Sequence, residues 1–204
     1  MIIIQKPQRR EVKISIWMTV PCDTRQQHLP ALAAGCGLPA DHIVVVRGAT
    51  GPPAYIPGAH HLEQPAELNI HLWWNMGIDY ARRHGASKVL VANDDVTFGP
   101  ELIPAMSEAM DMADAVLAFP ARLGGDPRLE ASLWMLDLSS DVRPDERFRW
   151  WYGDNDLVYQ AAGRVVTVPV VFIHYHPNEL TLANPKLLEL AFKDEVTFRE
   201  KWGN

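Results

Sequence analysis

Asn93, Asp94 and Asp95 follow directly on the apolar run Lys88–Ala92 (KVLVA). Adjacent carboxylates at the end of a strand repel one another unless a cation or a hydrogen-bond donor compensates them. A divalent ion would do so, because Mg2+ and Mn2+ take oxygen ligands and sit between one or two carboxylates and the phosphates of a bound molecule. A solvated turn after a strand would carry the same three residues, and the triplet alone leaves both readings open. His174 and His176 stand two residues apart where the β-branched run Arg164–Ile173 ends, so both rings share a face if the strand persists. Imidazole among the ligands favours Mn2+ over Mg2+, whereas a hydrogen-bonded core or surface histidine is the competing explanation for either one alone. Asp154 and Asp156 follow Trp150, Trp151, Tyr152 and Gly153. Beside that aromatic bulk Asp154 suits a general base, although an aspartate at a helix start also serves as an N-cap.

The elements that must hold these residues alternate between strand and helix. Val12–Val20 (VKISIWMTV) is a buried strand ending at Pro21, residues 25–34 form a helix stopped by Gly35, and Asp41–Val46 is a second strand. Parallel strands joined by a helix predict an α/β sheet whose working loops lie at the carboxyl ends of the strands. Gly51–Pro65, with four prolines and two glycines, is expected to be an ordered surface loop. Next come a helix over about Glu67–Arg83, the strand Lys88–Ala92, a helix over Glu101–Met112 and a strand over Ala115–Phe119. Ala131–Leu138 is a further strand and Asp156–Ala162 a short helix closed by Gly163. The tail, Pro185–Trp202, is an amphipathic helix with Leu188, Phe192 and Val196 at i+4 steps.

The 204 residues, 48% apolar and 22% charged, suit one domain over 1–204 that folds without disulfides or a structural metal. A net charge of −6 supplies no global positive field for nucleic acid or an anionic bilayer. Cys22 and Cys36 are too few for a disulfide scaffold and lack C-x-x-C spacing, which fits a reducing compartment. Lys6, Arg9, Arg10 and Glu11 interrupt the apolar start Met1–Ile4 before a signal core or membrane span can form. A cytoplasmic protein without a transmembrane segment is the expectation. Gly35–Ala40 matches G-x-G-x-x-A but follows a helix and precedes a strand, the reverse of the dinucleotide-binding order. The tryptophans at 73, 74, 134, 150 and 151 could stack on sugars or bases, but core packing is the commoner use of such residues.

Taken in order along the chain, these motifs resemble the inverting nucleotide-sugar glycosyltransferases of the GT-A fold, within the large second family of such enzymes. The carrying segments are Trp74–Ala81 before the strand, Asn93-Asp94-Asp95-Val96 after it, Tyr152–Leu157, the run Val168–His174 and the closing Arg199–Gly203. The resemblance implies a single Rossmann-like GT-A domain with a mixed, mostly parallel central sheet flanked by helices. It also implies Asp95 as metal ligand with Asn93 and Asp94 beside it, His174 as the histidine ligand and Asp154 as base, while His176 stays a metal candidate on its spacing from His174. Pro21 and Asp23 would line the nucleotide pocket. The cofactor would be Mn2+ or Mg2+, the donor a nucleotide sugar, and the acceptor a glycan or another hydroxyl-bearing molecule, a modified nucleobase included. This sequence departs from the family pattern at Gly153, where Glu is usual, and at Arg47-Gly48, where the second strand often ends in Asp. A metal-dependent nucleotidyltransferase or pyrophosphohydrolase would want similar carboxylates, but Pro21–Arg25 offers a phosphate cradle only one arginine. A noncatalytic nucleotide-sugar binding module is the third possibility.

Overall fold

In the computed structural model, which describes residues 15–22, 26–48, 55–63, 68–121, 132–175 and 179–203, the apolar runs become strands, the central ones buried on both faces. They are β1 (Ile16–Cys22), β2 (Ile43–Arg47), β3 (His60–Glu63), β4 (Lys88–Ala92), β5 (Val96–Phe98), β6 (Leu117–Pro120), β7 (Leu133–Asp137), β8 (Val165–Val168) and β9 (Phe172–His174). The helices are α1 (Leu29–Gly35), α2 (Ile70–Arg83), α3 (Leu102–Ala113), α4 (Gly153–Ala161), α5 (Glu179–Ala183) and α6 (Pro185–Trp202). Seven strands form one sheet in the order β3-β2-β1-β4-β7-β6-β8. Only β7 runs antiparallel to its neighbours, so the mixed, mostly parallel sheet expected from the sequence is what the chain adopts.

Alternation along each central strand sends side chains to two cores. Met18, Val20 and Leu90 pack with Leu102, Met106 and Met110 of α3 on one face. Val44, Val89, Val91 and Trp134 pack with Trp73, Trp74 and Ile78 of α2 on the other. Gly77 lets α2 lie close on the sheet, because a Cβ there would overlap the Thr19 side chain of β1. Trp73, Trp74 and Trp134 are thus core residues, with the Trp74 and Trp134 rings meeting edge to face at 5.3 Å.

Four local expectations are corrected. The breaker-rich segment contains β3, an edge strand that needs only the backbone of β2 on one side, so its composition gives little sign of it. The run after Arg164 is not one strand but two: Pro169 has no N–H to continue a ladder, so β8 closes the large sheet and β9 joins β5 in a separate two-stranded ribbon. The third correction concerns α4, which begins at Gly153 instead of Asp156. On α6 the buried residues are Leu187, Ala191, Asp194 and Phe198, while Phe192 and Val196 are 60% and 56% exposed, so the expected apolar stripe faces outward. Among the described residues no helix is long and apolar enough to cross a membrane.

Candidate active site

The carboxyl ends of the parallel strands β1, β2 and β4 lie along one edge of the sheet. Pro21 is buried near the end of β1, opposite Val46, and the Cys22 carbonyl accepts a 2.8 Å bond from the Gly48 N–H. After β4 the Asn93 N–H donates to Ser132 O at 2.8 Å, Asn93 Oδ1 is buried without a hydrogen-bond partner among the described residues, and Asp94 and Asp95 form a turn. Asp95 is buried, and the chain continues at once into β5.

His174 reaches this turn through the two-stranded ribbon of β5 and β9. Val96 of β5 pairs with His174 of β9, the Tyr175 N–H donates to Asp95 O at 3.0 Å, and His174 Nε2 lies 3.4 Å from Asp95 Oδ1. Two donors about 2.1 Å from one ion and at right angles are about 3 Å apart, so this oxygen and nitrogen fit neighbouring positions around Mn2+ or Mg2+. Among the described residues no group of three or more His, Cys, Asp or Glu side chains could hold a metal. Asp23 and His176 lie outside the described residues.

Asp154 arrives by a separate route. Helix α4 runs back from the carboxyl edge to feed β8, so its first turn, with Asp154 at the second position, stands at that edge. Neither aspartate is the N-cap. That position belongs to Tyr152, whose φ of 64° is left-handed and whose side chain makes no capping bond. Asp154 Oδ1 accepts from the Asn155 N–H at 2.9 Å. Asp156 is fully buried and accepts from Trp202 Nε1 at 2.8 Å, Lys201 Nζ at 2.7 Å and Gln160 Nε2 at 2.6 Å, tying α4 to the end of α6.

Two helices hold the loop leading into α4 from opposite sides. Asn69, before α2, donates from Nδ2 to Glu146 O at 3.0 Å; Asn75 donates to Pro144 O at 2.9 Å; the Ile70 N–H donates to Arg149 O at 3.0 Å. From α6 the buried Asp194 carboxylate accepts the N–H groups of Arg149, Trp150 and Trp151 at 2.9, 2.6 and 2.8 Å. Burial pushes the Asp194 carboxyl up, and those three amides pull against it. Trp150 Nε1 donates to Thr181 at 2.6 Å, leaving Trp151 the more exposed of the pair. Asp145, held well below the usual carboxylate range chiefly by Arg147 and then by Lys201, completes the frame.

Sequence reasoning passed over His71 and Asp194. The available signal was a polar residue on an otherwise buried stripe: His71 with Trp74 and Ile78 on α2, Asp194 with Leu187, Ala191 and Phe198 on α6. His71 Nδ1 faces Phe148 O at 2.8 Å, and since a carbonyl only accepts, Nδ1 carries the proton. Burial pushes the imidazole down to about 4, against opposing pulls from Phe148 O and Asp145. Between the ordinary histidine value near 6.5 and about 4, the unfolded chain binds a proton that the native one refuses. Stability from this group is therefore complete above about pH 6.5 and is lost as pH falls toward 4, by roughly 3 kcal/mol at most. Urea unfolding between pH 7 and 5 is expected to show this decline in the native protein and a flatter profile in His71→Asn; equal slopes would contradict it.

A cavity of about 420 Å³ lies elsewhere, at the amino end of β1 between Ile16, Cys36, His42 and Ile103, and no Asp, Glu, Lys or Arg lines it. Burial pushes the Cys36 thiol up, away from reactive thiolate.

No protein-family model matches the sequence, and no curated protein matches it. Solved structures do match in shape. The chain is similar to residues 1–349 of S. aureus TarS, with a TM-score of 0.61 and 8% identity over 87% of this chain and 65% of that one. It therefore spans a little under two thirds of that fragment. It is also similar to glucosyl-3-phosphoglycerate synthase from Mycobacterium tuberculosis, crystallised with Mn2+, UDP and phosphoglyceric acid, with a TM-score of 0.62 and 11% identity over 84% of this chain and 74% of that one. A third similar structure is mannose-1-phosphate geranyltransferase from Thermus thermophilus, with a TM-score of 0.51 and 13% identity over 79% of this chain and 76% of that one. The strand order with its single antiparallel member and the likeness to these structures agree: the chain has a GT-A-like fold.

Proposed function

We propose that the protein transfers a sugar from a nucleoside-diphosphate donor to an acceptor hydroxyl, with inversion at the anomeric carbon. The observation that carries this is the 3.4 Å approach of His174 Nε2 to Asp95 Oδ1 at the carboxyl edge, from segments far apart in sequence. Asp95 and His174 hold Mn2+ or Mg2+, with His176 as a further imidazole; Pro21, Asp23, Asn93 and Asp94 line the nucleotide side. The bound ion supplies Lewis-acid neutralisation of the departing diphosphate. Asp154 takes the proton from the acceptor hydroxyl as its oxygen bonds to the anomeric carbon and the bond to the diphosphate oxygen breaks. Attack opposite the leaving group inverts the configuration. The S. aureus TarS fragment was crystallised with UDP and with UDP-GlcNAc, which supports a nucleotide-sugar donor. The buried thiols of Cys22 and Cys36 support a reducing, cytoplasmic setting.

A metal-dependent nucleotidyltransferase or pyrophosphohydrolase is the second reading, because it would use the same Asp95–His174 pair and a divalent ion on a diphosphate. Incubation with UDP, GDP and dTDP sugars in Mn2+ separates the two by product. Slow release of nucleoside diphosphate is expected. Release of nucleoside monophosphate or pyrophosphate would point to the second reading, and binding without turnover to a noncatalytic module.

A further inference from the structure

His71 is fully buried on α2, and its ring edge lies over the Cα of Gly153, the first residue of α4. A Cβ built on Gly153 would overlap His71 Nε2 and Cδ2, so imidazole and side chain compete for one volume. The ring is fixed on its other side by the bond from Nδ1 to Phe148 O, while Nε2 has no hydrogen-bond partner among the described residues. A buried nitrogen left without a partner lowers stability. An apolar ring of similar bulk would fill the space but leave the Phe148 carbonyl without its donor, so the imidazole both packs over Gly153 and ties α2 to the loop before α4.

A second observation comes from the residue on the other side of Gly153. Tyr152 is held in the left-handed region, at φ 64° and ψ 1°, a conformation unfavourable for a residue with a Cβ. Its carbonyl accepts the Asp156 N–H at 2.9 Å and its ring packs on Phe198 at 5.2 Å. The entrance to α4 is therefore constrained at two consecutive residues immediately before Asp154. Strain of this kind persists only where the surroundings over-determine the backbone. Here the surroundings are the loop held by Asp194 on one side and the His71 ring on the other.

We propose that His71 and Gly153 form a matched pair in which His71 is a positioning residue: its ring seats the first turn of α4 and thereby sets where the Asp154 carboxylate points. The proposal deepens the transferase reading and rests on Asp154 being the base. His71 itself is too buried to touch a substrate, so its effect passes through the backbone at 153.

The test is a double-mutant cycle of Gly153→Ala, His71→Asn and the two combined. Asparagine can keep a donor toward Phe148 O while lacking the far edge of the ring that a Cβ would meet. In Gly153→Ala the methyl collides with the ring, and turnover per folded molecule is expected to fall about 100-fold, the effect of a displacement near 1 Å in a reacting group. Affinity for UDP in Mn2+ should stay at the native value, because the nucleotide side is not touched. In the double variant the shorter side chain makes room for the methyl, and turnover should recover to within about threefold of native. Folded fraction and melting temperature are measured on every sample. A lower melting temperature with native turnover per folded molecule would show a purely structural contact and overturn the proposal, as would a double variant no better than Gly153→Ala. If Gly153→Ala does not fold, His71→Asn against the double variant carries the test: the methyl refills the vacated space and turnover must rise, and no rise overturns the pairing. A native protein that turns over no nucleotide sugar is a separate result, which sinks the transferase reading itself and the positioning role with it.

Discussion

Asp154→Asn is expected to cut sugar transfer about 10²- to 10⁴-fold while leaving Mn2+-dependent UDP binding within about twofold of native. Asparagine is nearly the same shape, and its Oδ1 can keep the 2.9 Å bond that Asp154 accepts from the Asn155 N–H, so the first turn of α4 survives. What disappears is a group able to take a proton at neutral pH. The surrounding frame does not depend on Asp154, since Asp156 anchors α4 through Lys201, Trp202 and Gln160 and Asp194 holds the preceding loop. Donor binding and transfer should therefore separate cleanly. Steady-state transfer alongside calorimetric UDP titration measures both, and native turnover in Asp154→Asn would remove this residue as the base.

Asp95→Asn acts on the other half of the chemistry. Asp95 is buried against His174, and amide replacement keeps its volume while removing the anionic ligand. The charge stabilisation that a bound ion provides is worth several kcal/mol, and each 1.36 kcal/mol is tenfold, so UDP affinity in Mn2+ should fall by about 100-fold or more and transfer with it. Chelation by EDTA should weaken UDP binding to the native protein by a comparable factor and leave Asp95→Asn almost unaffected. UDP binding that is equally strong with and without Mn2+ in the native protein would sink the metal assignment. The contrast with Asp154→Asn is diagnostic: one substitution loses binding, the other only transfer.

Legibility differed between elements for physical reasons. β1, β2 and β4 were readable because parallel strands covered on both faces must be continuously apolar. α2 and α3 were readable because their buried stripes are long enough to show the helical period. β3 and β5 were hidden, one among prolines and glycines and one only three residues long, because an edge or ribbon strand is specified by its partner's backbone more than by its own side chains. The start of α4 was misplaced because no favourable capping residue marks it; the left-handed Tyr152 is imposed from outside. On α6 the apolar i+4 series pointed to the wrong face. The helix turns inward a stripe in which Leu187, Ala191 and Phe198 are buried and three loop amides compensate the Asp194 carboxylate.

By itself the sequence determined the alternating α/β class, the acidic triplet after an interior strand, the aspartate beside aromatic residues and the histidine ending a β-branched run, because each is written in local composition and short-range period. Tertiary structure alone decided that Asp95 and His174 meet through the β5–β9 ribbon, that Asp194 clamps the loop before α4, and that His71 occupies the space over Gly153. Those contacts join residues widely separated along the chain. They exist only once the sheet has brought its carboxyl ends to one edge and the helices have closed over them.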